Sequence, residues 1–264
     1  MRARQPRSGA PAAVLTGRLY AGTSGFAYPD WAPRFYPSGL RGDELLAYYA
    51  SAFRAVELNN TFYARPTEAK IRGWLAATGP DFRFVVKAQR GGSLRAFLSA
   101  PAESVPWLTE PLPAFGARLG AVLFRVPANV HRAADGSTDG RVAALLAAWP
   151  VTLPLTLEFQ HASWHVDEVL DLLREAGTVL CATELPEDEA APTLRLTGSF
   201  LYLRLRRHDY PEPEIEAWAE RLAPFLEAGR DVFAFFRHDE SGRATELARK
   251  LVDQVGRRLP DAVS

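Results

Sequence analysis

Arg54-Ala55-Val56-Glu57-Leu58-Asn59 is followed, after a short polar stretch, by Ile71, Trp74, Leu75 and Thr78 at helical spacing, and then by Phe82-Arg83-Phe84-Val85-Val86-Lys87. The two outer runs alternate or concentrate apolar residues over five or six positions, as buried strands do, while the middle run repeats at i, i+3, i+4 and i+7, as one helix face does. Thr67 stands where a helix N-cap belongs. A strand, a helix and a second strand in this order form a parallel unit, because the helix carries the chain back across the sheet before the next strand begins.

The same unit repeats outward from this stretch. Further strand candidates are Leu19–Ser24, Leu119–Arg125, Leu153–Phe159, Thr178–Thr183, Phe200–Leu205 and Asp231–Phe236, which with the first two makes eight. Helical repeats fall between them. Val142, Leu145, Leu146 and Trp149 follow Thr138. Val166, Val169, Leu170 and Leu173 run to Gly177, a natural stop. Ile215, Trp218, Ala219 and Leu222 lie between Pro213 and Gly229, and Leu247, Ala248, Leu251, Val252 and Val255 close the chain. Eight alternating units over 264 residues predict a single-domain α/β chain folded as a (β/α)8 TIM barrel. The expected boundaries are a disordered basic arm over residues 1–18, the barrel over 19–258 and a C-terminal tail over 259–264. Residues 88–118, with Gly91, Gly92 and several prolines, are expected to be irregular apart from a short helix near Ala114–Arg118, and 184–193 is too short and acidic to read as a helix. An open doubly wound sheet is the alternative architecture, but no Gly-x-Gly-x-x-Gly follows the first strand.

Composition narrows the function classes. Hydrophobic residues make up 47% of the chain, enough for a large core, and Lys+Arg and Asp+Glu balance at 31 each, so no global field favours a polyanion. Cys181 is the single cysteine and sits in an apolar strand, which excludes an internal disulfide framework and a cysteine-rich zinc site. No run of 18 apolar residues predicts a membrane span, and the arm carrying Arg2, Arg4, Arg7 and Arg18 has no apolar core of a secretion signal. A cytoplasmic protein is expected.

In a barrel of this type chemistry gathers at the C-terminal strand ends, and side chains alternate between the helix-facing and inward faces. With Val56 and Leu58 outward, Glu57 and Asn59 point inward. Leu155, Leu157 and Phe159 outward turn Glu158 inward. Lys87 follows outward Phe84 and Val86; Arg125 is opposite Val122 and Phe124; Tyr202, Arg204 and Arg206 alternate with Leu201, Leu203 and Leu205. Two carboxylates and four cations thus converge on one mouth. Structural ion pairs plugging the barrel would account for any one of them. A core serving stability alone would use Val and Leu more cheaply than five strands' worth of charge.

Several segments resemble the YecE-like family, domain of unknown function 72. They are Gly22-Thr23-Ser24-Gly25-Phe26 with Tyr28, Trp31 and Phe35-Tyr36-Pro37; Val56-Glu57-Leu58-Asn59-Asn60-Thr61-Phe62-Tyr63 with Pro66 and Trp74; Phe82–Lys87; Leu119–Pro127; and Glu158-Phe159-Gln160-His161-Ala162-Ser163-Trp164. The resemblance spans about residues 19 to 250 and implies the barrel. It brings no settled reaction with it. The chain departs from the family's usual pattern shortly after Lys87, where Thr-His is common and this chain reads Ala88-Gln89-Arg90-Gly91-Gly92-Ser93, at Arg125 for Gln, at Gln160 for Arg, at Arg206-Arg207 for His-Gly and at His238 for Asn, which implies a reshaped polar mouth.

Paired carboxylates divide into a general acid and a general base when their surroundings push their pKa values apart. Glu57 and Glu158 are the candidates, with Lys87 an electrostatic or Schiff-base helper and His161 an auxiliary acid/base. Arg125, Arg204 and Arg206 form an anion clamp, arginine's fork suiting carboxylate and phosphate oxygens. Ser24, Asn59 and His208 are further binding candidates, and Tyr28, Trp31, Tyr63 and Trp164 offer stacking surfaces, packing beneath loops being the other reading of each aromatic. No metal ligand set and no cofactor are predicted, although a divalent metal held by Glu57 or Glu158 with a substrate phosphate stays open. The leading expectation is an enzyme (a hydrolase, lyase or isomerase) acting on a small anionic, phosphorylated sugar- or nucleotide-like substrate. The alternative is a non-catalytic binder, or a metal-assisted nuclease-like protein, acting on nucleic-acid ends; a nucleic-acid partner is the less favoured of the two. Neither reading fixes the oligomeric state.

Overall fold

The computed structural model describes residues 15–186 and 190–264. Eight strands form one sheet: β1 (Leu19–Thr23), β2 (Ala55–Leu58), β3 (Arg83–Lys87), β4 (Leu119–Val126), β5 (Leu155–Phe159), β6 (Val179–Glu184), β7 (Leu201–Leu205) and β8 (Val232–Phe236). All pairings are parallel, in the order β1-β8-β7-β6-β5-β4-β3-β2. A single bridge between Ser24 and Glu57, with Gly25 N–H donating to the Glu57 carbonyl at 2.7 Å, draws β1 and β2 together and closes the ring. The predicted barrel is therefore the observed fold, and each predicted strand lies within one or two residues of the observed one.

Outside the ring lie α1 (Asp43–Ala52), α2 (Glu68–Ala76), α3 (Arg90–Leu98), α4 (Pro101–Thr109), α5 (Gly140–Ala148), α6 (Asp167–Glu175), α7 (Glu212–Glu227) and α8 (Arg243–Arg258). The Thr67 hydroxyl caps α2 by accepting from Lys70 N–H. Thr138 does not open α5; Asp139 takes the N-cap position, and the Thr138 hydroxyl accepts from Ala133 N–H instead. Among the described residues the β6–β7 connection contains no helix, whereas the β3–β4 connection contains two.

Those two helices correct the expected irregular stretch over 88–118. Gln89 caps α3, its side-chain oxygen accepting from Gly92 N–H at 2.7 Å, and Pro101 occupies the first turn of α4, where a missing N–H costs nothing. Gly92 is a packing requirement. A Cβ there would lie 2.7 Å from the Trp107 ring and 2.8 Å from Leu108, so glycine lets α3 and α4 touch. Residues 112–118, which include the short helix expected near Ala114–Arg118, form 3-10 turns broken at Gly116.

Residues 1–14 of the expected basic arm lie outside the described residues. Gly17 N–H donates to Leu226 O and Arg18 N–H to the Asp231 carboxylate, which fixes the chain just before β1. At the other end residues 260–262 turn back so that Ala262 is buried. No helix among the described residues is long and apolar enough to cross a membrane.

Alternation sorts the strands into two apolar regions. Val56, Leu58, Phe84, Val86, Leu157, Leu203 and their neighbours pack against the helices, while Tyr20, Val85, Leu123, Phe200, Tyr202 and Phe233 fill the barrel interior. The lower interior is aromatic, with Tyr20 and Phe233 stacked at 4.8 Å and Phe200 edge-on to Phe233 at 5.3 Å. This packed floor leaves the upper interior to the polar strand ends.

Candidate active site

Above the aromatic floor, one arginine bridges two acids. Arg204 reaches inward from β7, and its Nη1 donates to both oxygens of Glu158, at 2.8 and 3.0 Å, while Nη2 donates to Glu57 Oε1 at 2.8 Å. All three side chains are buried. Register explains part of the assembly. Arg125 pairs with Glu158 across β4–β5, Thr183 with Arg204 across β6–β7, and Ser24 with Glu57 across the seam. The remaining contacts are local: Ser24 Oγ donates to Glu57 Oε1 at 2.9 Å, Tyr202 OH to Glu57 Oε2 at 2.8 Å, and Thr183 Oγ1 to Glu158 Oε1 at 3.0 Å.

Burial alone would push both carboxyl groups up. The opposing charge of Arg204, with Lys87 and hydrogen bonds from Tyr202 and Ser24, outweighs that penalty at Glu57 and holds it below the usual carboxylate value. At Glu158 the same contest, won by Arg204, Arg125 and Arg206, ends at about 2. Both acids are therefore held ionised by a shared cation. This corrects the expected division into acid and base, since a general acid needs a raised pKa and neither group has one.

Three cations remain around the upper rim. Lys87 ends β3 and is 7% exposed; Thr61 Oγ1 donates to its backbone carbonyl at 2.8 Å, tying it to the turn after β2. Its Nζ lies over the Phe62 ring, 4.5 Å from the centroid, and the Arg125 guanidinium lies 6.0 Å from the same ring. Burial and the neighbouring Arg204 charge pull the Lys87 amine down to about 8. Arg125 keeps a distant ion pair to Glu158, 3.7 Å from Nε, which has no hydrogen-bond acceptor. Arg206 forms no ion pair among the described residues, and burial followed by Arg204 repulsion lowers its pKa. Among the described residues of the cluster, four cations face two carboxylates, a surplus of two positive charges. A cavity of about 350 Å³, lined by Phe62, Arg90, Ser93, Leu94, Arg125 and Asn129, opens on the Arg125 side, and one of about 300 Å³ lies against Glu158 between the ends of β5 and β6.

The other expected site residues divide. Asn59 Nδ2 donates to Ser24 O at 2.8 Å and contacts His238 Nδ1 at 3.2 Å, and Tyr28 stacks on that His238 ring at 4.9 Å. Tyr28, His208 and His238 border a cavity of about 610 Å³, and Tyr63, 78% exposed, borders another with Tyr28 and Asn59. Trp31 and Trp164 are not stacking surfaces. Both are fully buried, their indole N–H groups donating to Asp239 O at 2.7 Å and Val130 O at 2.8 Å. His161 bonds Ser163 Oγ at 2.8 Å and stacks on His131 at 3.9 Å, and among the described residues it forms no hydrogen bond or ion pair with either carboxylate.

Sequence reasoning assigned no site role to Phe62 and Tyr202, which complete the charge cluster, or to His238, which joins Tyr28 to Asn59. Tyr202 shares the inward parity of Arg204, so its signal was present. Phe62 follows the strand end, where alternation no longer applies. Among the described residues no group of three His, Cys, Asp or Glu side chains is spaced to hold a metal ion.

Comparison with known proteins covers nearly the whole chain. The profile of the family described as "Protein of unknown function DUF72" matches residues 20–263. The UPF0759 protein YunF of Bacillus subtilis (strain 168) is 22% identical over 271 residues, covering 89% of this chain and 94% of that protein. Among solved structures, a DUF72 family protein of Thermotoga maritima superposes with a TM-score of 0.77 at 26% identity, covering 90% of this chain and 99% of its own. One from Enterococcus faecalis V583 gives 0.73 at 19% identity, over 93% and 99%. A methyltransferase from Methanosarcina mazei shares the fold at a TM-score of 0.51 and 13% identity.

Proposed function

This chain belongs to the DUF72 family, and from that premise we propose that it is an enzyme whose barrel mouth binds a small anionic substrate, of the phosphorylated sugar or nucleotide kind, on Arg125 and Arg206. The observation that carries this reading is the cationic surplus standing above a saturated ion cluster. Glu57 and Glu158 already accept from Arg204, Tyr202, Ser24 and Thr183; their two charges offset Arg204 and one further cation, and leave two rim charges to an outside anion. Half-buried arginines without close acceptors carry a desolvation cost that a bound phosphate would relieve with charge-assisted, bidentate hydrogen bonds. Lys87 adds to the same field.

In this reading the Glu57–Arg204–Glu158 cluster positions charge and performs no proton transfer. It fixes the inward end of Arg204, and with it the potential at the mouth, in a site walled by low-dielectric packing. The test is calorimetric titration of the full chain with inorganic phosphate and with glucose 6-phosphate. Saturable binding is expected, weakened about tenfold or more by Arg125→Ala or Arg206→Ala, because a hydrogen bond to a charged group is worth ~1.5–3 kcal/mol. Absence of saturable binding by either anion, or indifference to both substitutions, overturns the reading.

A further inference from the structure

Lysine is scarce in this chain. Only Lys70, Lys87 and Lys250 occur among its 31 basic residues, the rest being arginine. Lys70 is exposed, and Lys250 pairs with Glu212 at 2.9 Å on the helical exterior. Lys87 stands instead at an inward strand end, in a mouth whose other cations are Arg125, Arg204 and Arg206. The two residue types differ in one decisive property: an amine sheds its proton within reach of neutral pH and becomes a nucleophile, and a guanidinium does not.

Burial and the like charge of Arg204 move Lys87 toward the neutral amine, against the opposing pull of Glu57 and Glu158. Both carboxylates of the cluster are engaged by other donors, and no ion pair reaches Lys87 among the described residues. Phe62 lies across Nζ, and Arg204 and Arg125 supply like charge nearby. Desolvation beside fixed cations is the arrangement that activates a lysine for attack on a carbonyl group, and it acts here against the ring face of Phe62, which favours the ammonium. The depressed pKa of about 8 agrees with the geometry.

We infer that Lys87 is a covalent nucleophile toward a phosphorylated aldehyde or ketone, its amine forming a Schiff base with the carbonyl carbon while Arg125 and Arg206 hold the phosphate. The inference rests on the anion-binding reading above and adds to it the reacting group and the substrate class. The Nζ lone pair attacks the carbonyl carbon, and the C=O π pair moves to oxygen, which takes one amine proton. As the C=N bond forms, that hydroxyl leaves with the second amine proton as water. Nothing is oxidised or reduced, and addition of water to the C=N bond reverses the sequence.

The experiment incubates the full chain with dihydroxyacetone phosphate and sodium cyanoborohydride, followed by intact mass and peptide mapping. The expected result is one adduct, of probe mass less one oxygen, confined to the Lys87 peptide, suppressed by inorganic phosphate and abolished in Lys87→Arg. Circular dichroism and thermal unfolding of Lys87→Arg and Lys87→Met establish that at least one variant is folded. Calorimetry with the same probe separates the two readings. Binding with no Lys87 adduct, or labelling spread equally over Lys70 and Lys250, overturns the Schiff-base inference and leaves the anion site standing. Neither binding nor adduct overturns both.

Discussion

Replacing Arg204 with methionine removes the one cation that holds two buried carboxylates. The guanidinium makes three hydrogen bonds at 2.8 to 3.0 Å, and Glu57 and Glu158 are 0% and 1% exposed. Breaking a buried pair by deleting one partner costs roughly 3–5 kcal/mol, and here one deletion strands two acids, so the upper end is expected. Against a total stability of ~5–15 kcal/mol, that loss leaves a marginal protein. The pH dependence carries the sharper signature. In the native chain Glu158 titrates at about 2 instead of 4.5, which contributes ~3 kcal/mol above the unfolded value and is lost as pH falls from about 4.5 to about 2. Without Arg204, burial dominates and the carboxyl pKa values rise above those of the unfolded chain. The folded variant then binds more protons than the unfolded one, and its penalty grows as pH rises.

Urea unfolding followed by tryptophan fluorescence should therefore show Arg204→Met about 4–5 kcal/mol less stable than the native chain near neutral pH, with that gap narrowing by half or more at about pH 4.5. Adding Glu57→Gln and Glu158→Gln should return most of the loss, because the stranded charges are gone. A loss below ~1 kcal/mol, or a gap equal at both pH values, would refute the assignment of the cluster as a charge clamp.

Lys87 titrates at about 8 instead of 10.5, so native stability should climb between those pH values. Lys87→Met should then stabilise the protein by ~2 kcal/mol near neutral pH, less what the Phe62 contact supplies, with the gain vanishing above about pH 10.5 in thermal unfolding. Gly22→Ala should cost about 2–3 kcal/mol by denaturant titration, because its Cβ would fall 2.3 Å from Ala55 O at the seam that closes the ring. Trp31→Phe loses the bond to Asp239 O and should cost ~1–3 kcal/mol of stability while leaving phosphate affinity unchanged; a weakened titration would return Trp31 to the binding site.

What could be read from the sequence follows the reach of alternation. Parity along β2, β5 and β7 placed Glu57, Glu158 and Arg204 on the interior face because backbone geometry fixes that face residue by residue. Which of those charges neutralise one another depends on side-chain length across the barrel. Arg204 reaches an acid 147 positions away in the chain, and no local pattern encodes that span. Once a strand ends, parity lapses. Tyr28 and Trp31 are three residues apart in one loop, yet Tyr28 stacks on His238 beside a cavity and Trp31 is wholly buried. Likewise, Gly91-Gly92 and Pro101 have the composition of a loop. They form helices because Gln89 caps the first, proline suits the start of the second, and the bare Cα of Gly92 admits Trp107. The same limit bears on the chemistry. Two inward acids suggest proton transfer until their partners are known, and once Arg204 is seen between them the chemical question passes to the amine that neither acid holds, Lys87.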